Sequence, residues 1–223
     1  MNKKLSVSLM CADLMHMADD VETLEANHVD WFHIDIMDAH FVPNLTFGPD
    51  YCKALKAISH TPLDYHLMMD NPELFINAVP LTAEDYVTVH SELPEDVAKS
   101  ALRLVRSKGA HTGIAVNPDT PVERILPYLG DIDLVLLMLV QPGFAGQKMK
   151  EGIMDKVAAT RAFLKEHGRN DVLISTDGNI SVERAVHMAE LGADIFVGGT
   201  SAVFKKGQRL EDTIGAFFKA VNG

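Results

Sequence analysis

The chain has 223 residues, 47% hydrophobic and 23% charged, a globular composition that excludes both a disordered and a fibrous protein. Its formal net charge of −11 argues against nucleic acid or an anionic membrane surface as the main partner, because phosphate backbones attract clustered lysine and arginine. Cys11 and Cys52, the two cysteines, lack metal-site spacing and read as free thiols in a chain too large to need a disulfide staple.

Met1 to Lys4 followed by Leu5 to Cys11 has the outline of a secretory signal, but Ser6 and Ser8 interrupt an apolar run that would need roughly 7–15 residues. The stretch reads instead as a first strand, Leu5–Met10. The predicted elements then alternate along the chain: helix Met15–Ala26, strand Trp31–Met37, helix Pro49–Ala57, strand Leu63–Leu67, helix Pro72–Val79 and strand Tyr86–His90. They continue with helix Glu95–Ser107, strand Thr112–Val116, helix Val122–Tyr128, strand Leu134–Met138 and helix Lys150–His167. Strand Val172–Thr176, helix Val182–Leu191, strand Ile195–Val197 and helix Glu211–Val221 close the series. Asn71-Pro72, Pro94-Glu95 and Ser181 are helix starts, and Gly109 and Gly192 are helix stops.

Eight strand-helix units without a break in composition predict one domain over residues 1–223, an α/β protein built as a TIM (β/α)8 barrel, with an open doubly wound sheet as the alternative. No run approaches the ~20 apolar residues of a membrane span, so a soluble cytoplasmic protein is expected.

In a barrel the chemistry lies at the C-terminal ends of the strands. The second predicted strand ends in His33-Ile34-Asp35-Ile36-Met37, and the period of two sends His33, Asp35 and Met37 to one face. His66 and Asp177 stand at the ends of the third and seventh strands, so all four polar groups can meet in one barrel mouth. Two imidazoles and two carboxylates suit one divalent ion, Zn, Fe, Mn or Co, with positions left for substrate oxygens. A lone His-x-Asp is more often a hydrogen-bonded pair without metal; three polar strand ends in one barrel reverse that balance. A metal beside two carboxylates permits proton abstraction next to a carbonyl and return from the opposite face.

These residues lie in longer stretches: Ser8 to Asp13, His33 to Pro49, His66-Leu67-Met68, Pro142 to Gln147 and Asp177-Gly178-Asn179. Over them, and over almost its full length, the chain resembles the ribulose-phosphate 3-epimerase family, whose barrel is of the ribulose-phosphate-binding type. The resemblance implies that His33, Asp35, His66 and Asp177 bind the metal and that Asp35 and Asp177 are the proton-transfer pair. It further implies that Ser8 and His66 touch the sugar and that Met37, Met68 and Met138 form an apolar collar excluding water.

The loops after the sixth, seventh and eighth strands read as the phosphate end of the substrate site. They contain Gly143-Phe144-Ala145-Gly146, Asp177-Gly178-Asn179 and Gly199-Thr200-Ser201, the last opening a short helix whose N–H groups can face an anion. Asp38 faces away from Asp35 and reads as a capping group, and His90-Ser91-Glu92 resembles the family's segment there, though a satisfied structural histidine accounts for it equally well.

Ala39 and Ala145 stand where the resembled family usually has glycine, Asn179 replaces a second glycine after Asp177-Gly178, and Gly199-Thr200-Ser201 is longer than the usual Gly-Ser. The Ser-Leu-Met-Cys start, the Gly-Phe-Ala-Gly loop and the Gly-Thr-Ser segment look closer to a branch acting on D-allulose 6-phosphate. The expected reaction is therefore allulose 6-phosphate to fructose 6-phosphate, with ribulose 5-phosphate to xylulose 5-phosphate as the alternative. The expected partner is a small ketose phosphate, and the resemblance suggests a homo-oligomer. A Schiff-base aldolase would need a lysine inside a strand, and a metal-independent decarboxylase barrel would need Asp-x-Lys-x-x-Asp; neither feature is present. A non-catalytic sugar-phosphate sensor is the remaining alternative, disfavoured by the presence of both aspartates.

Overall fold

The computed structural model describes residues 2–223. Eight parallel strands close into a barrel in sequence order: β1 (Lys4–Ser8), β2 (Trp31–Met37), β3 (Leu63–Met68), β4 (Tyr86–His90), β5 (His111–Val116), β6 (Leu134–Met138), β7 (Leu173–Asp177) and β8 (Ile195–Gly198). Outside them run α1 (Met17–Ala26), α2 (Pro49–Ile58), α3 (Pro72–Ala78), α4 (Glu95–Ser107), α5 (Asp155–Glu166), α6 (Val182–Glu190) and α7 (Leu210–Asn222). The closed ring decides against the open sheet. No helix among the described residues is long and apolar enough to cross a membrane.

The elements follow local chemistry. In α4, Ala98, Ala101, Leu102 and Val105 fall at helical spacing and are buried together, giving one apolar stripe against the strands. Proline at the first turn starts α2 and α3, where its missing N–H has no intrahelical role. Ser181 Oγ accepts from Arg184 N at the start of α6.

Four expectations need correction. Residues 200–203 form turns and not the short helix expected after β8. Val122–Tyr128 is a 3-10 helix, not an α-helix. Pro127 lies inside it, and a proline there cannot donate to the carbonyl four residues back and crowds it. The first strand stops at Ser8, and Leu9–Cys11 turns as 3-10 helix, carrying Met10 and Cys11 over the barrel mouth. Residues 151–154 form a turn, so α5 begins only at Asp155.

The period of two divides the strands between two cores. Ile34, Ile36, Leu63, Tyr65, Leu67, Val135, Leu137 and Ile174 face outward into the layer shared with the helices. Inside the barrel, Tyr86, Ala115, Leu134, Leu136, Met138, Ile195 and Val197 form a separate apolar cluster. Ser6, Ser8, His33, Asp35, Asp64, His66, Thr88 and His90 are buried on β1 to β4 at the alternate positions. The barrel interior is therefore polar on one side and apolar on the other, and register sets the polar groups side by side: Ser8 beside His33, and Asp35 beside His66.

Gly113 on β5 leaves room at the centre of this interior. A Cβ there would stand 2.2 Å from Thr88 Oγ1 and 3.2 Å from Leu134 Cδ2. Gly113→Ala should therefore destabilise the protein by roughly 1–3 kcal/mol, the range for overpacking a filled core. Thr88 Oγ1 has no hydrogen-bond partner, so Thr88→Ala in the same chain should recover most of the loss. Denaturant titration of the two single variants and the double variant checks this; additive losses would show that the two positions do not compete for space.

Candidate metal centre and active site

β2 brings His33 and Asp35 to the barrel mouth, β3 brings His66, and β7 ends on Asp177. One donor atom from each of the four lies within 4.8 Å of the other three, an arrangement that could hold a metal ion. Asp35 Oδ1 lies 3.1 Å from His66 Nδ1 and 3.3 Å from His33 Nε2. Only the first contact has hydrogen-bond geometry, which leaves His33 Nε2 buried without a partner. A buried imidazole nitrogen aimed at two carboxylates fits a cation ligand better than an unexplained loss of a hydrogen bond.

The surrounding bonds choose which ring nitrogens are free. Asp64 Oδ2 accepts from His33 Nδ1 at 2.7 Å and from Ser6 Oγ at 2.9 Å, so the proton sits on Nδ1 and Nε2 is turned into the cluster. On the other imidazole, His66 Nε2 lies 2.8 Å from His90 Nε2, and His90 Nδ1 lies 3.0 Å from Glu92 Oε2. An ionised carboxylate only accepts, so His90 Nδ1 donates to Glu92, His90 Nε2 accepts, and His66 Nε2 donates. The lone pair of His66 is thereby left on Nδ1, the atom that faces Asp35.

The protonation states agree with this chain. Burial, together with the neighbouring His66, pulls His90 down to about 4, so it stays neutral near pH 7. Burial opposes ionisation of Glu92, but His90, Thr120 and the Asn117 N–H outweigh it and hold the acid at about 2. Lys156, donating to the carbonyls of Asn117, Pro118 and Thr120, adds a favourable positive charge behind Glu92.

The two central carboxylates are pushed apart. Burial opposes ionisation of Asp35, and the positive charge of His33, which is protonated whenever no cation takes its lone pair, holds the carboxyl well below the usual carboxylate range. Asp177 is raised to about 6, chiefly by burial and also by the charge of Asp35, with His33 acting against both. Two carboxyl groups thus share one mouth, each within reach of the same cluster. Ser8 Oγ donates to Asp35 Oδ2 at 2.9 Å, and Thr46 Oγ1 donates to the Asp35 carbonyl.

Above the cluster a cleft opens to solvent. Ser8, Asp35 and Asp177 reach it from below, and Met37, Met68 and Met138 line its wall. All three methionines are buried; Met37 and Met68 are register partners and pack with Val42, while Met138 pairs with Asp177. Gly143, Phe144, Ala145, Gly146, Gly178, Asn179, Gly199, Thr200 and Ser201 line the other end. His33 and His66 sit beneath the floor, fully buried, so His66 faces the cluster and His90 rather than the cleft.

Asp38 caps, as expected: its Oδ1 accepts from the N–H groups of His40 and Phe41, and its Oδ2 from that of Asp70. Of the positions where glycine was replaced, Ala39 (φ 62°) and Asn179 (φ 53°) take the left-handed conformation that glycine adopts freely, and Ala145 does not. Sequence reasoning passed over Asp64 and Ser6, the groups behind His33. Both sit two residues before a site residue on the same strand, Asp64 before His66 and Ser6 before Ser8, so the period of two marks them. Cys11, Gln141 and Gln147 also line the cleft, and no local pattern distinguishes them.

Comparison with known proteins agrees with the geometry. Residues 4–204 match the family described as the Ribulose-phosphate 3 epimerase family. The chain is 36% identical to the ribulose-phosphate 3-epimerase of Bacillus subtilis (strain 168) over 92% of its own length and 94% of that protein. It is 38% identical to the enzyme of that name from Rhodobacter capsulatus, over 92% and 87%. Among solved structures, KGPDC from Streptococcus mutans superposes with a TM-score of 0.70 at 13% identity, covering 100% of this chain and 98% of the other. N-(5'-phosphoribosyl)anthranilate isomerase from Pyrococcus furiosus superposes at 0.66 and 12%, covering 99% of each. At such identities these structures establish the barrel alone. The family match and the curated relatives go further: this chain belongs to the ribulose-phosphate 3-epimerase family and is an isomerase that epimerises a ketose phosphate.

Proposed function

We propose that the chain inverts C3 of D-ribulose 5-phosphate to give D-xylulose 5-phosphate, in both directions, with Asp35 and Asp177 moving the proton. The observation that carries the chemistry is the cluster of His33, Asp35, His66 and Asp177 at the floor of the cleft. The five-carbon substrate rests on the relatives: those at 33–38% identity over most of the chain carry the name ribulose-phosphate 3-epimerase. This replaces D-allulose 6-phosphate as the favoured substrate. The six-carbon reaction stays as the second reading because the cleft carries Asn179 and the lengthened Gly199-Thr200-Ser201 segment.

His33, Asp35, His66 and Asp177 would hold one divalent cation, and zinc, iron, manganese and cobalt all suit this donor set. When bound there, such an ion would supply Lewis-acid stabilisation for negative charge on the substrate's oxygens. The protein's own groups do the rest. One aspartate takes the C3 proton and the other returns a proton to the opposite face; they stand on strands three places apart in the ring, β7 and β2. Ser8 holds Asp35 through Oδ2, leaving Oδ1 to the cluster. Met37, Met68 and Met138 keep water from the reacting carbons, and the glycine-bearing loops after β6, β7 and β8 take the phosphate.

Four outcomes follow from these roles. Purified metal-loaded protein should turn over ribulose 5-phosphate much faster than allulose 6-phosphate; the reverse ranking would establish the six-carbon reading. Asp35→Asn and Asp177→Asn should each lower kcat by at least the roughly 10²–10⁴-fold of a lost general acid–base group, with circular dichroism unchanged. Near-wild-type kcat in either variant contradicts the assignment. Chelation should abolish turnover and prevent deuterium from solvent entering C3, and metal should restore both. His90→Phe keeps a ring beside His66 and Phe41, which His90 now contacts at centroid distances of 5.0 and 4.6 Å, but removes the acceptor for His66 Nε2. It should weaken cobalt binding by roughly 10–100-fold in a competition titration, the usual loss for an outer-sphere partner of a ligating histidine.

A further inference from the structure

The phosphate end of the cleft is drawn from three separate loops, and one side chain joins them. Asn179, at the end of β7, donates from Nδ2 to the Gln147 carbonyl in the loop after β6 at 2.9 Å. Its Oδ1 accepts from Ser201 Oγ in the loop after β8 at 3.0 Å. Gln147 in turn donates from Nε2 to the carbonyls of Gln141 and Phe144, closing the glycine-bearing loop on itself. Glycine at position 179 would make none of the side-chain bonds. Asn179 makes them while taking the left-handed backbone, a conformation asparagine tolerates better than most residues.

Arg184 stands behind this joint. From the first turns of α6, its Nη1 donates to both the carbonyl and the Oδ1 of Asn179, each at 2.8 Å. Both acceptors are neutral, and among the described residues Arg184 forms no ion pair with a carboxylate. Its neighbour Glu183 is exposed and feels the charges of both Lys205 and Arg184, without pairing with either. A half-buried guanidinium bonded only to neutral oxygens keeps its charge for a ligand. The backbone N–H groups of Asn179 and Ser201, beside the cleft, have no acceptor among the described residues. At the other end of the same cleft stand the carboxylates of Asp35 and Asp177, so the cation lies where a dianion is least repelled.

We propose that Asn179 and Arg184 form a positioning pair for the substrate's phosphate group. The amide fixes the three loops in one arrangement so that their N–H groups converge, and the guanidinium, acting through Asn179, supplies the positive charge. This role rests on the sugar-phosphate reading given above. It assigns to Arg184, a residue outside the cleft lining, a part in recognising the phosphate and none in the proton transfer.

Kinetics with inorganic phosphate as a competing ligand test the pair. Arg184→Gln should raise KM for the ketose phosphate and the inhibition constant of phosphate together, by roughly 10-fold, with a smaller change in kcat. Metal affinity should not move, which separates the effect from general disruption of the barrel. Arg184→Lys should restore much of the phosphate affinity, and Asn179→Gly combined with Arg184→Gln should be little worse than the more damaging single change, because one residue acts through the other. An Arg184→Gln protein with unchanged phosphate inhibition, or one that loses kcat alone, overturns the proposal. Phosphorus-31 NMR of the wild-type protein with phosphate tells the two failures apart. Absence of both binding and ketose-phosphate turnover sinks the sugar-phosphate reading itself, whereas binding and turnover that Arg184→Gln leaves untouched sink only the pair.

Discussion

Burying negative charge is the constraint on which this barrel turns. Asp35 and Asp177 lie in one mouth with Asp64 buried behind them, in a chain that is already strongly acidic. Such groups persist only when paired, hydrogen-bonded or bound to a cation. Asp64 is satisfied by His33 and Ser6. Asp35 and Asp177 face each other across two imidazoles, and a divalent ion is the charge that reconciles all four groups.

The layers behind the cluster explain why the geometry is held without distortion. Each imidazole has its outer nitrogen committed, one to Asp64 and one to a chain ending at Glu92 and Lys156, so neither ring can turn without leaving a buried polar atom unpaired. His90 and Glu92 stand at and just after the end of β4, in the part of the barrel where function concentrates, while Asp64 lies deeper, near the start of β3 beside His33. The opposite wall of Ala115, Leu134, Leu136, Met138 and Val197 is apolar and lends rigidity. A barrel that is polar on one side can place charge accurately because the other side is tightly filled.

Much of this was legible from period and position. The parity of His33, Asp35 and Met37, with His66 and Asp177 at the ends of their strands, brought four candidate ligands together in the expected barrel mouth, and the structure clusters the same four. The (β/α)8 barrel itself followed from eight alternations, and its strand boundaries shifted by only a few residues. What was not legible is long-range. The role of Glu92 depends on a ring stacked between it and His66, and Arg184 matters only because α6 begins beside Asn179; no spacing within a strand encodes either relation. The helix expected between β5 and β6 tightened to 3-10 because apolar periodicity is blind to Pro127. The substrate expectation rested on short loop motifs that weigh toward a six-carbon sugar, whereas the relatives similar over most of the chain carry the name ribulose-phosphate 3-epimerase.

The central claim concerns the first coordination sphere at the barrel mouth. X-ray absorption spectroscopy on protein loaded with one equivalent of cobalt or zinc reads that sphere directly. The account requires a single ion surrounded by two imidazole nitrogens and otherwise by oxygen, with the imidazole scattering reduced when His33 or His66 is replaced by alanine. An ion without imidazole in its shell, or no tightly held ion, would contradict it.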